Sequence, residues 1–283
     1  MCVENRLSMP RLGQGTWKIG DDPARADGEI AALRLGLELG MNLIDTAEMY
    51  GEGRSERLIG RAVKGIPRDS FMLVSKVYPH NAEAGKLRQS CEQSLRRLGA
   101  DHLDLYLLHW RGPVPLEETV SGMEALVRDG LIRAWGVSNF DTADMEELWR
   151  VPGGDRCAAN QVLYHLGSRG IEYDLLPWME QRGVAAMAYC PLAQAGRLAR
   201  MGQDLRSDPV LLRVAQSYNA TVPQVLLAFT LRRGGVTAIP KAGGTAHVRE
   251  NAAARDLNIA PGDWAALDAV FWPPSGKMHL DIE

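Results

Sequence analysis

Cysteine is sparse and unpatterned in this 283-residue chain: Cys2, Cys91, Cys157 and Cys190 form no CxxC pair and no cluster with metal-ligand spacing. The six histidines, His80, His102, His109, His165, His247 and His279, contain no His-x-x-x-His pair, which argues against a zinc site. No run of 18 apolar residues occurs, and Met1–Arg6 has no apolar leader core, so neither a membrane span nor an export signal is expected. Basic blocks are missing too. The net charge is -3, and Arg96-Arg97 and Arg232-Arg233 read as solvated helix ends, which leaves no footprint for nucleic acid. Gly136-Val137-Ser138-Asn139-Phe140 is not the Gly-x-Ser-x-Gly of a nucleophile elbow. Neither Gly13-Gln14-Gly15 nor Gly51-Glu52-Gly53 continues to Gly-x-Gly-x-x-Gly, the signature of a doubly wound dinucleotide fold. A cytoplasmic protein with reduced thiols is expected.

What is present is a regular alternation of apolar runs and amphipathic patterns. The candidate strands are Leu12–Trp17, Asn42–Asp45, Phe71–Lys76, Leu103–His109, Ile132–Ser138, Ala158–Val162, Val184–Tyr189 and Val236–Pro240. Between them Leu87, Cys91, Leu95 and Leu98 mark one face of a helix, as do Ile30, Leu33 and Leu37. Strands alternating with helices imply βαβ units and a parallel sheet. Eight such strands predict an α/β fold, a (β/α)8 TIM barrel, in a single domain over residues 1–283. Leu7–Pro10 and the run after it predict a short N-terminal hairpin. The long interval from Tyr189 to Val236 predicts an added loop whose start, Ala193–Gly196, can lie over a ligand.

Three strands end on an ionisable residue: Asp45, Lys76 and His109, with Tyr50 just beyond the first. In a parallel barrel these ends share one face. Singly, each has a plain reading, as a helix cap, a packed phenol or a core histidine. Lys76 is harder to dismiss, because a lysine closing a buried strand is costly unless paired. Together the four suit acid catalysis at a carbonyl oxygen. Asp45 would hold the Lys76 ammonium, the ammonium would lower the Tyr50 pKa, and His109 would orient the substrate oxygen. No side chain supplies a hydride, so a cofactor must. Ser138, Asn139 and Gln161 at neighbouring strand ends can hold a carboxamide, and Tyr189 offers a flat face to a planar ring.

The ordered stretches Gly13–Trp17, Asp45–Gly51, Ser75–Val77, Asp104–Trp110, Gly136–Phe140, Asn160–Val162, Ala188–Leu192 and Ile239–Lys241 resemble the aldo-keto reductases over nearly the whole chain. The likeness is nearest to small bacterial members that reduce methylglyoxal and other dicarbonyls. It implies NADPH lying across the carboxyl ends of the strands, with Tyr50 as general acid, Lys76 and Asp45 tuning it, and His109 orienting the carbonyl. It assigns Gly15, Thr16 and Trp17 to the cofactor, and Ser138, Asn139, Gln161 and Tyr189 to its nicotinamide end. Leu192 and Gln194 fall along the pyrophosphate, and Lys241, His247, Glu250 and Asn251 at the adenosine end. Many members carry a hydroxyl after the lysine and an arginine six residues beyond it, whereas this chain has Ala242 and His247. A histidine holds a phosphate less firmly than a guanidinium, so use of NADH as a weaker alternative is expected beside NADPH.

The resemblance further implies a monomer acting on a small carbonyl substrate, such as methylglyoxal, 2,5-diketogluconate or simple aromatic aldehydes. The segment after the final helix, Phe271–Glu283, is short, which predicts an open, shallow pocket lined by Trp17, Tyr50, His109, Trp110 and Phe140. The rival expectation is a regulatory module that holds the cofactor and turns over poorly. The intact set Asp45, Tyr50, Lys76 and His109 favours the enzyme.

Overall fold

A computed structural model describes residues 7–196 and 204–283. Eight parallel strands follow one another in chain order around a single sheet. They are β1 Gln14–Gly15, β2 Leu43–Asp45, β3 Met72–Val77, β4 Leu103–Leu108, β5 Ile132–Ser138, β6 Ala159–Leu163, β7 Ala185–Tyr189 and β8 Val236–Ala238. The helices on the outside begin with α1 Ala26–Glu38, α2 Arg54–Val63, α3 Ala84–Leu98, α4 Leu116–Arg128, α5 Thr142–Arg150 and α6 Leu175–Arg182. They continue as α7 Ala193–Gly196, α8 Pro209–Ser217, α9 Val222–Leu231, α10 Thr245–Ala253 and α11 Pro261–Val270.

Every strand lies within or beside its expected run. The ring closes without a regular ladder: parallel bridges join Leu12 to Ala238 and Gly15 to Lys241. The backbone N–H groups of Gly13 and Gly15 donate to Ala238 and Pro240 carbonyls at 2.9 and 3.0 Å. The predicted N-terminal hairpin is not formed among the described residues. Leu7 and Met9 instead pack against the apolar cluster inside the barrel, with Leu43, Val74, Leu105, Leu107, Ala159, Ala185, Met187 and Ile239.

A larger cluster fills the space between strands and helices. There α3 turns Leu87, Cys91, Leu95 and Leu98 inward, as its periodicity required. The face of α1 is rotated from the expected Ile30-Leu33-Leu37 line. Its buried residues are Ala26, Glu29, Ala32, Leu33 and Gly36, so a carboxylate lies on the inward side. The interval between β7 and β8 holds α7, α8 and α9, and part of the predicted loop (residues 197–203) lies outside the described residues.

Candidate active site

The carboxyl ends of the strands surround a cavity of about 350 Å³. Behind the lining residues Asp45 and Tyr50 lies the Lys76 ammonium, whose residue is 0% exposed. An ammonium has three protons to donate. Lys76 Nζ gives all three: to Asp45 Oδ2 at 2.8 Å, to the Thr46 carbonyl at 2.8 Å and to Tyr50 Oη at 3.1 Å. Asp45, 2% exposed, takes a further bond from Gln161 Nε2 to its other oxygen at 2.7 Å. The pair is thus buried but fully hydrogen-bonded, the condition under which an internal ion pair is tolerated.

The phenol oxygen accepts from Lys76, so the Tyr50 proton is not used in that bond. Among the described residues no acceptor holds it, and Tyr50 lines the cavity. Burial raises the Tyr50 pKa above the ordinary phenol value. The Lys76 charge pulls the other way and is outweighed, with Asp45 adding to the rise. The expected lowering by Lys76 is therefore present as a contribution, but it does not set the direction. Burial alone would pull Lys76 down, yet Asp45 and Tyr50 together lift its pKa above the usual value, so it stays an ammonium.

His109 stands beside Tyr50 with ring centroids 5.9 Å apart, edge on. Burial, and then the Lys76 charge, push its pKa down to about 2. The ring is a neutral imidazole that can donate one N–H. Its backbone carbonyl accepts from Asn139 Nδ2 at 3.2 Å.

The strand ends β5, β6 and β7 bring Ser138, Asn139, Gln161 and Tyr189 together. Ser138 Oγ donates to the Gln161 carbonyl at 2.9 Å, and Tyr189 Oη donates to Asn139 Oδ1 at 2.9 Å. Asn139 adopts a φ of 60°, a left-handed geometry that asparagine tolerates better than most residues. Close approach of β5 to β6 depends on Gly136, because a Cβ there would lie 2.3 Å from the Ala159 carbonyl oxygen.

Of the other sequence-derived candidates, Gly15, Thr16, Trp17, Leu192, Gln194 and Lys241 line the cavity. His247, Glu250 and Asn251 do not. They lie on α10, which follows Lys241–Gly244: His247 is exposed, Glu250 is bonded to Thr221, and Asn251 is buried with no partner for Nδ2 among the described residues. Trp17 is 46% exposed at the rim, and Trp110 flanks His109 with ring centroids 4.8 Å apart.

Phe140 is a correction. Its side chain is 0% exposed and belongs to the outer core cluster, since the turn after β5 directs it under the barrel wall. The pocket is also less open than expected. The segment after α11 returns to the mouth, where the Glu283 N–H donates to Tyr189 Oη at 3.3 Å and Glu283 lines the cavity.

Sequence reasoning gave Thr16 to the cofactor only, and missed it, with Thr46 and Ser55, as a support of Asp45 and Lys76. Thr16 Oγ1 donates to the Asp45 carbonyl at 2.8 Å, and Ser55 Oγ donates to Thr16 Oγ1 at 2.9 Å. Thr46 adjoins Asp45 in sequence, but only the fold brings Ser55 to them.

The family model for the aldo/keto reductase family matches residues 11–271. Methylglyoxal reductase YeaE of Escherichia coli K12 is 54% identical over 276 residues, covering 98% of this chain and 96% of that protein. A crystal structure of an aldo/keto reductase from Klebsiella pneumoniae with NADP and acetate superposes with a TM-score of 0.94 at 49% identity, covering 99% of this chain and 100% of that one. A second from the same organism, with NADPH, gives 0.93 at 51% identity, with coverage of 97% and 95%. With a match that spans nearly every strand and helix, this chain belongs to the aldo/keto reductase family.

Proposed function

We propose that this protein reduces small aldehydes and vicinal dicarbonyls, methylglyoxal among them, to alcohols with NADPH, and does so as a single barrel unit. The observation that carries this reading is the Lys76 ammonium, which spends all three protons on Asp45, Thr46 and Tyr50 and leaves the phenol proton toward the cavity.

The residues present fit a nicotinamide dinucleotide. Ser138, Asn139 and Gln161 offer amide and hydroxyl groups to a carboxamide, Tyr189 offers a ring face, and Lys241 offers a cation at the far end of the same cavity. When bound, the reduced cofactor supplies the hydride. Tyr50 gives its proton to the carbonyl oxygen as negative charge develops there. The fixed Lys76 charge stabilises the phenolate left behind, and Asp45 keeps Lys76 charged. Neutral His109 donates a hydrogen bond that orients the carbonyl oxygen without competing as the acid. Trp17 lines the entrance, and Trp110 packs against His109. Relatives and neighbours whose names specify methylglyoxal, NADP and NADPH support the substrate and cofactor.

NADH serves as a weaker alternative. The free thiols of Cys91, Cys157 and Cys190 support a reducing, cytoplasmic setting, and the protein acts as a monomer on this reading.

The test is NADPH oxidation followed at steady state with methylglyoxal and with a bulky steroid ketone. The reading expects higher kcat/KM for methylglyoxal. A clear preference for the steroid would overturn the small-substrate assignment.

A further inference from the structure

Beside the turn that follows cavity-lining Lys241 stands a second cation, which the Lys241–Asn251 segment does not encode. Arg25 precedes α1, and its Nε lies 3.9 Å from Oε1 of Glu29, one turn later. Glu29 is 1% exposed, and its other oxygen accepts from the Gly20 N–H at 2.8 Å. The carboxylate is thus fixed, and it anchors a guanidinium whose side chain is 59% exposed.

That guanidinium lies against the turn between β8 and α10. A Cβ built on Gly243 would be 3.2 Å from Arg25 Nη2 and 3.7 Å from Glu29 Oε1, so glycine leaves the space in which the two segments meet. Lys241 opens the same turn, with Lys18 in its field. Burial first, then the Arg25 charge, hold the Lys241 pKa below its ordinary value; Glu29 opposes and Lys18 adds. Arg25 and Lys241 thus flank one turn, a pair of cations suited to a multiply charged anion. Gly244, the residue before α10, offers no side chain to cap the first N–H groups of that helix.

We propose that Arg25, positioned by Glu29 beside Gly243, is the residue that selects a 2′-phosphorylated cofactor in this chain, taking with Lys241 the phosphate that Ala242 and His247 hold poorly. The proposal rests on the reading of the site as an NADPH site. A guanidinium can grip a phosphate through two parallel N–H bonds, which neither a lysine nor a histidine does. The selecting residue thus comes from the start of the first helix rather than from the turn after the last strand.

The experiment titrates the full-length protein and Arg25→Met with NADPH and NADH, by quenching of tryptophan fluorescence, and repeats the NADPH titration with 2′-AMP and 5′-AMP as competitors. Arg25→Met is expected to raise the Kd for NADPH, and the inhibition constant of 2′-AMP, by about tenfold to a hundredfold, as for loss of a charged hydrogen bond. NADH and 5′-AMP should change less than about twofold. Equal weakening of NADPH and NADH would place Arg25 on the pyrophosphate that both share and overturn the proposal. No change in either would make Arg25 a solvated surface charge and overturn it too. Failure of the unsubstituted protein to bind NADPH at all would instead overturn the proposed function on which it stands.

Discussion

Lys76 is the residue on which the site depends, because three acceptors converge on one buried atom. Asp45, Thr46 and Tyr50 are near in sequence to one another but not to Lys76, and only the pairing of β2 with β3 brings them together. Replacing Lys76 by methionine would leave the Asp45 carboxylate buried with Gln161 as its remaining side-chain partner. The expected cost is about 3–5 kcal/mol in chemical denaturation, the range for breaking a buried ion pair. Adding Asp45→Asn should recover much of that loss, since the double variant buries no unpaired charge. A single variant as stable as the parent would show that the pair is not held as described. Asp45, Lys76 and His109 were legible because an ionisable residue ending an apolar run is costly and needs a reason. Phe140 misled because it directly follows two polar residues at a strand end, yet its side chain turns into the core.

At the level of elements, strand ends were readable where polarity changes abruptly, as in β5, which occupies the expected Ile132–Ser138 span. They were not readable at the seam. There β1 and β8 shorten to two and three residues, and single bridges close the ring. Leu7 and Met9 suggested a hairpin because they are apolar and precede a strand, but burial inside the barrel satisfies them equally well. Arg25 carries no sequence signal at all, since its meaning comes from a turn at the opposite end of the chain. Gly136 shows how packing at one element governs the site. Gly136→Ala would place a methyl 2.3 Å from the Ala159 carbonyl oxygen and 2.9 Å from Leu107 Cδ2. The strands must part, at an expected cost of about 1–3 kcal/mol. NADPH should bind more weakly as Ser138 and Asn139 shift. Gly28→Ala, in α1 with open space around it, is the control and should leave both quantities intact or raise stability slightly. Unchanged NADPH affinity in Gly136→Ala would contradict the link between strand spacing and site.

For the whole molecule, two buried histidines tie stability to acidity. Burial and the Lys76 charge take His109 down to about 2; burial, opposed by Asp281, takes His165 to about 4. Both folded values are depressed, so the stabilising condition holds above the unfolded value near 6.5. It is lost as pH falls, because the unfolded chain then binds protons that the folded form refuses. Each histidine should contribute a slope of up to about 1.4 kcal/mol per pH unit, His165 between roughly pH 6.5 and 4, and His109 further down. Denaturant melts of the parent and of His165→Gln from pH 7 to 4.5 check this. The variant should lose stability less steeply on the acid side, and identical slopes would contradict a neutral buried His165.

The central claim is that the barrel positions one proton, on Tyr50, for delivery to a carbonyl oxygen. Its most direct test is single-turnover oxidation of NADPH with methylglyoxal, comparing the parent protein with Tyr50→Phe. The account predicts a rate lower by about 10²–10⁴-fold, the usual range for loss of a general acid, with NADPH affinity unchanged. Turnover within a few-fold of the parent would contradict it and require the proton to come from another group.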